Sequence, residues 1–224
     1  MPKPPGIAHV VAACALTVMT APAIATQDIR AVQAASELPS GEYRVDPSHT
    51  TVVFRVDHLG FSIYTAQFTE IDIVVQLDPA EAEVAVLSVT IPVRSLHLPS
   101  PPEGFRDTLL GTDWFDAETY PDMQFVSTGI EMTGETTANI HGDLTLHGIT
   151  QPVTLSARYN GGWVGHIYDP NARIGFSATA EISRTAFGMG FGTPSGEMPG
   201  VADTVQITVE TELVGPAWSP AESE

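Results

Sequence analysis

Cysteine and lysine are almost missing from this chain: Cys14 and Lys3 are the sole representatives of their types. Both lie in the opening stretch, where one positive charge at Lys3, an apolar run from Ile7 to Met19 and the small-residue triplet Ala23-Ile24-Ala25 have the layout of a cleavable export signal. Cleavage after Ala25 leaves a mature chain without a thiol. No disulfide can then hold the fold, even in an oxidising compartment, and burial of apolar surface must do so. Long hydrophobic runs are missing too. Nothing beyond the signal offers about 18 unbroken apolar residues, which excludes a spanning helix and stable insertion by that route. The expectation is an exported, periplasmic protein with residues 1–25 removed, a polar leader over 26–41, one domain over 42–214 and an unanchored tail over 215–224.

Positive charge is in short supply: 9 Lys and Arg stand against 27 Asp and Glu, a formal net charge of -18. That balance excludes nucleic acid and anionic membrane surfaces, which both select basic patches. It reads as a solvated acidic shell. The patterns of metal and nucleophile chemistry are also lacking. No cysteine pair, His-x-x-x-His or Gly-x-Ser-x-Gly elbow occurs. His141 and His147 stand about 20 Å apart on a strand rising about 3.3 Å per residue, so they cannot share an ion, and His49 and His58 fail likewise. The glycine-rich run Gly188 to Gly192 precedes no amphipathic helix that would present amides to a phosphate. It reads as a strand connection at a rim, and no catalytic, metal or cofactor site is expected.

What the sequence has is alternation. Val52, Phe54, Val56 and His58 share one face of an extended segment, opposite Thr51, Val53, Arg55 and Asp57. The same period of two recurs in about eight runs, near residues 50–58, 66–77, 84–93, 123–132, 136–147, 151–160, 172–184 and 203–214. Short turns and the lack of helical runs make this an all-β, antiparallel up-and-down meander. One greasy face with no second sheet to cover it is hidden most easily by closing an eight-stranded barrel. A two-sheet sandwich is the alternative. The long departure, Glu103 to Pro121, carries Phe105, Leu109, Trp114 and Phe115, too apolar for an idle loop, and reads as a short helical lid over one end.

The segments DPSHTTVVFRVDHLGF, FRDTLLGTDWFDAETYPDMQF, HGDLTLHGITQPVTL and RIGFSATAEISRTAFGMG, followed by VADTVQITVETEL, together resemble the YceI-like, polyisoprenoid-binding family over roughly residues 42–214. The resemblance implies a lipocalin-like barrel in the bacterial periplasm with an elongated apolar cavity for isoprenoid or similar long chains. The ligand contacts expected on that reading are Phe54, Val56, Phe68, Phe125 and Phe176 along the barrel, and Phe105, Leu110, Trp114 and Phe115 in the lid. Phe61, Phe187 and Met189 are expected at the rim, with His58, Arg106 and Arg184 as the polar contacts. For His58, a hydrogen bond to a neighbouring loop is favoured over ligand contact, because buried polar atoms are nearly always paired.

The leading expectation is a non-catalytic carrier of a long apolar lipid, such as an isoprenoid or quinone-like molecule, with a preference for neutral head groups. Whether it acts as a monomer or homodimer the sequence leaves open. Two other readings remain: a lipid-modifying or isomerising enzyme pairing His58 with Asp46 or Asp57 as general base, and an acidic scaffold with an empty interior.

Overall fold

The computed structural model describes residues 38–164 and 169–217. The expected export signal, most of the expected leader and the last residues of the expected tail lie outside that range. Among the described residues eleven strands are formed: β1 (Gly41–Val45), β2 (Thr51–His58), β3 (Ser62–Phe68), β4 (Asp72–Leu77), β5 (Val86–Pro92), β6 (Leu96–His97), β7 (Asp122–Met132), β8 (Thr137–Leu146), β9 (Ile149–Trp163), β10 (Asn171–Ser183) and β11 (Val201–Ala217). One short helix, α1 (Phe105–Leu110), lies between β6 and β7. No described helix is long and apolar enough to cross a membrane.

These eleven strands make eight staves, because three staves are each interrupted once. β11 pairs with β2 through Val201 to Glu210 and with β1 through Leu213 and Val214, so β1 and β2 are two halves of one stave. β3 and β4 form the next, pairing with β2 and β1 respectively, and β5 with β6 form the third. The contact of β11 with this first stave closes the sheet on itself. Every pairing is antiparallel and, apart from this closure of the last stave on the first, joins staves consecutive in the chain, so the result is an up-and-down barrel rather than a sandwich.

Each interruption is a change of phase. Tyr43 and Val45 are the apolar positions of β1, whereas β2 points Val52, Phe54 and Val56 inward; the odd row becomes an even one across Asp46–Thr50. The second stave switches from Ala66 and Phe68 to Ile73, Val75 and Leu77, and the third from Leu87, Val89 and Ile91 to Leu96. A strand whose side chains alternate cannot keep both rows inside unless its backbone breaks. The second and third breaks are tied to each other: Thr69 donates to the Ser95 carbonyl from both its amide and its hydroxyl, and Ser95 Oγ donates to the Pro92 carbonyl at 2.7 Å.

The staves run between two unlike ends. At one lie the β2–β3 turn, the α1 segment, the β8–β9 turn and the connection from Arg184 to Gly200; at the other lie the β4–β5, β7–β8 and β9–β10 connections. The first, the lid end, is filled by Phe68, Leu96, Leu98, Leu109, Leu110, Met123, Leu146 and Phe187. A smaller cluster nearer the hairpin end gathers Leu38, Tyr43, Ile73, Ala172, Ile174 and Leu213.

Two sequence boundaries shift. Leu38 is buried, and the Tyr43 hydroxyl, pushed up to about 12 chiefly by burial, donates to the Pro39 carbonyl at 2.7 Å. The end of the leader is therefore packed. β11 likewise continues to Ala217, three residues into the stretch expected to be tail.

Candidate functional site: an apolar hollow along the barrel

The inner rows do not meet across the barrel axis. They enclose a cavity of about 770 Å³ that runs from Trp114, Phe115 and Met189 at the lid end to Leu77, Ile130 and Met132 at the other. That volume lies in the usual range for small-molecule sites. Phe54, Val89, Ile140, Leu155, Phe176 and Ile207 point inward and are still only half-buried, because the surface they present faces the hollow. The register explains part of the width. Ala138 pairs with Ala157, and Ala157 pairs with Ala178, so three adjacent staves present only a methyl group at one level.

Eleven of the expected contact residues line this hollow: Phe54, Val56, His58, Phe68, Phe105, Trp114, Phe115, Phe125, Phe176, Arg184 and Met189. Four do not. Phe61 sits on the β2–β3 turn, 84% exposed, with its ring outside the cavity. Leu110 and Phe187 are buried in the lid-end cluster, and the lid presents Leu109 to the hollow instead. Arg106 is a staple: its Nε donates to the Leu96 carbonyl at 2.8 Å and its Nη2 to the Arg94 carbonyl, which fastens α1 to the third stave. The family resemblance and residue type point to these four as contacts, but which way a turn or helix faces is set by packing. The sequence reading passed over Tyr64, Tyr159 and most aliphatic wall residues, although the period of two that marks them is plain.

The polar groups at the lid end are few. His58 lines the cavity beside Val201, its partner on β11, and is exposed; no hydrogen bond to its ring occurs among the described residues. The expected bond to a loop is thus not made. Arg184 is buried at 5% exposure, and burial lowers its pKa. Its guanidinium donates to four carbonyls, those of Ala202 (2.9 Å), Met189 (2.6 Å), Phe191 (2.8 Å) and Val201 (2.9 Å), and lies 5.5 Å from the centre of the Trp114 ring. Arg184 thereby shapes the connection from β10 to β11, and most of its hydrogen-bonding capacity is spent on backbone.

Neither aspartate proposed as a partner of His58 is placed to serve. Asp57 points to the outer side and accepts from the Gly60 amide at 2.7 Å. Asp46 lies beyond the opposite end of β2, where its Oδ2 accepts from Arg173 Nη1 at 2.6 Å and contacts His49 Nδ1 at 3.0 Å. Asp46, His49 and Glu212 hold their ligand atoms within 4.8 Å of one another, the one such cluster among the described residues. A guanidinium already occupies the place of a cation: Arg173 Nη1 is 3.5 Å from Glu212 Oε2 while its Nε bonds Asp169 Oδ2 at 2.5 Å. The cluster reads as an ion-pair knot joining the first, seventh and eighth staves.

A closed antiparallel barrel with a continuous apolar hollow and one plugged end defines a binding barrel of the kind that holds small apolar molecules. Residues 43–213 match the YceI-like domain, and the chain belongs to that family. It is 34% identical over 166 residues to a UPF0312 protein of Pseudomonas putida, covering 71% of this chain and 82% of that one. BcnA of Burkholderia cenocepacia superposes with a TM-score of 0.63 at 29% identity, over 75% of this chain and 98% of BcnA. A domain from Saccharophagus degradans described as polyisoprenoid-binding shares the fold at 10% identity, with a TM-score of 0.59 over 80% of this chain and all of that domain.

Proposed function

We propose that this protein is a periplasmic, non-catalytic carrier or sequestering protein for a long-chain apolar lipid, an isoprenoid or quinone-like molecule, which needs no cofactor. The observation that carries the reading is the hollow itself: about 770 Å³, lined along most of its length by aliphatic and aromatic side chains. The description of the Saccharophagus domain as polyisoprenoid-binding supports the same ligand class. Each buried methylene contributes about 0.8 kcal/mol, so a dozen supply roughly 10 kcal/mol before ordering is subtracted. No polar machinery is required for useful affinity. The lining does not favour acid–base chemistry, since His58 stands apart from both Asp46 and Asp57.

The same geometry favours a neutral head group. Arg106 and Arg184, the two arginines expected as polar contacts, are both engaged by main-chain carbonyls, and the chain carries a formal charge of -18. A pyrophosphate would enter against that field, and neither of these two guanidiniums is free to receive it. Native mass spectrometry of protein purified from its own periplasm should show one apolar lipid per chain. Titration with solanesol and solanesyl diphosphate should then favour the alcohol. Recovery of an empty protein that binds neither compound would overturn the carrier reading, and tighter binding of the diphosphate would overturn the neutral preference.

A further inference from the structure

The two ends of the hollow are covered in different ways. At the lid end each connection is tied to another element. Arg106 fastens α1 to the Leu96 and Arg94 carbonyls, and Arg184 holds the β10–β11 connection. The Leu59 amide donates to the Gly200 carbonyl at 3.2 Å, and Gln151 Nε2 donates to the Ala186 carbonyl at 3.2 Å. Leu109, Leu110, Leu146, Phe187 and Met189 are buried beneath these links. His58 and Pro102 touch both hollow and solvent there, within a frame that widens only by breaking such bonds. Residues 78–85, the β4–β5 connection at the hairpin end, differ. They place Pro79, Ala82 and Ala85 on the cavity wall and bury no side chain. Their hydrogen bonds close on the segment itself: the Asp78 carbonyl accepts from the Glu81 amide at 3.0 Å, Asp78 Oδ1 from the Ala80 amide at 3.0 Å, and the Glu81 and Ala82 carbonyls from Val84 and Ala85. Among the described residues no hydrogen bond joins this segment to another element. The neighbouring β7–β8 turn, by contrast, is anchored to β9, whose Tyr159 amide donates to the Thr136 carbonyl at 2.8 Å.

The wall beside this segment is split. β5 and β7 pair only from Ser88 with Val126 to Pro92 with Asp122. The Leu87 amide then turns to Ser127 Oγ at 2.9 Å, and β7 runs on to Met132 with β8 as its one strand partner among the described residues. Where the ladder is missing, the short turn Ala82–Val84 packs against β7. Side chains rather than main-chain hydrogen bonds close the barrel at this place. The split is greasy on both sides. Val84 at 65% exposure, Val86 at 52% and Val126 at 47% stand outside it, while Ile130 and Met132 line the hollow within, and Met132 also reaches the surface at 39%. Outward positions on a strand with one wet face are ordinarily polar. Here they make an apolar path from solvent to cavity.

Resting on the carrier reading, we propose that residues 78–85 are a gate, and that the lipid enters and leaves through the split between β5 and β7 that they cover. Swinging this segment outward breaks no hydrogen bond to the rest of the barrel and uncovers three small wall residues. Opening the lid end instead would break the Arg106 and Arg184 links and expose a packed cluster. Local opening follows the path with the fewest buried contacts, and that path is at the hairpin end.

The test uses the chain from Thr26 onward, which holds no cysteine, and radiolabelled solanesol presented in detergent. The double variant Val84→Cys, Val126→Cys, joined across the split by a flexible bis-maleimide with a reducible disulfide, should take up and release solanesol about tenfold or more slowly. Reducing the linker should restore both rates. Phe61→Cys with Met198→Cys, joined in the same way at the lid end, should keep the rates of the unlinked protein. Asp78→Ala takes the carboxylate from the Ala80 amide and should release solanesol about threefold or more faster than wild type. Unchanged rates in the linked hairpin-end pair would overturn the proposal. So would equal slowing by the lid-end link, or release from Asp78→Ala no faster than from wild type. If no form binds solanesol, the carrier reading falls and the gate with it, whereas binding at unaltered rates by the linked hairpin-end pair strikes the gate alone.

Discussion

Asp46 and Arg173 lie 127 positions apart in sequence and meet at 2.6 Å, so their pair is a direct product of barrel closure. The Asp46 carboxyl is held well below the usual carboxylate range, first by Arg173, then by Ser48, against the opposing effect of burial. Arg173 is correspondingly raised by Asp46 and Asp169. An aspartate whose folded pKa is depressed stabilises the fold above its unfolded value of about 3.9, and that contribution disappears as pH falls toward the folded value. Asp46→Asn should therefore cost about 1–3 kcal/mol at neutral pH. The gap between the urea midpoints of wild type and variant should narrow progressively below about pH 4. A gap independent of pH down to acid unfolding would show that the carboxylate's charge is not what matters there.

Single strands depend on close contacts that residue type alone does not announce. The face of β11 at Gly215 is covered by the Tyr43 ring of β1, so a Cβ at that position would run into the ring. Gly142 on β8 is covered in the same way by Phe125 of β7, and a Cβ there would also lie 2.6 Å from the Val126 carbonyl oxygen. Gly215→Ala should cost about 1–3 kcal/mol by overpacking. Its effect should exceed that of Gly190→Ala, where nothing lies within 4 Å of the added carbon. Differential scanning fluorimetry of the two variants checks this, and equal melting temperatures would refute it. The strands themselves were legible because a wet and a dry face impose a period of two. β1 was not, since five residues flanked by turn formers give only Tyr43 and Val45 as an apolar row. The break inside 66–77 was written in the sequence as a change from even to odd apolar positions between Phe68 and Ile71, yet counted as one strand. The lid was legible as a lid, but not which of Leu109 and Leu110 would face inward, a choice that depends on how Arg106 fastens α1 to the wall.

The hollow belongs to the whole molecule, for it exists only once the register around the barrel is set. Ala138, Ala157 and Ala178 are unremarkable in sequence, 19 and 21 positions apart; antiparallel pairing puts them side by side at one level of the wall. Their methyl groups leave room where leucines would reach toward the axis. An apolar hollow of this kind forgoes the contacts that closely packed interiors make, so an occupant should stabilise the fold. At a free ligand concentration about a hundredfold above Kd, binding adds about 2.7 kcal/mol. For a chain of this size each kcal/mol moves the melting temperature by about 2–4 °C, which makes the shift with solanesol several degrees. Ala157→Leu combined with Ala178→Leu fills part of the hollow with the protein's own side chains. That variant should melt no lower than the empty wild type, because the added carbons enter free volume, and it should lose most of the rise that solanesol gives the wild type. Melting curves with and without solanesol decide the matter. A variant that keeps the full rise would show that the chain does not lie along this wall, and one that melts far below wild type would show that the hollow is narrower at this level than the register implies.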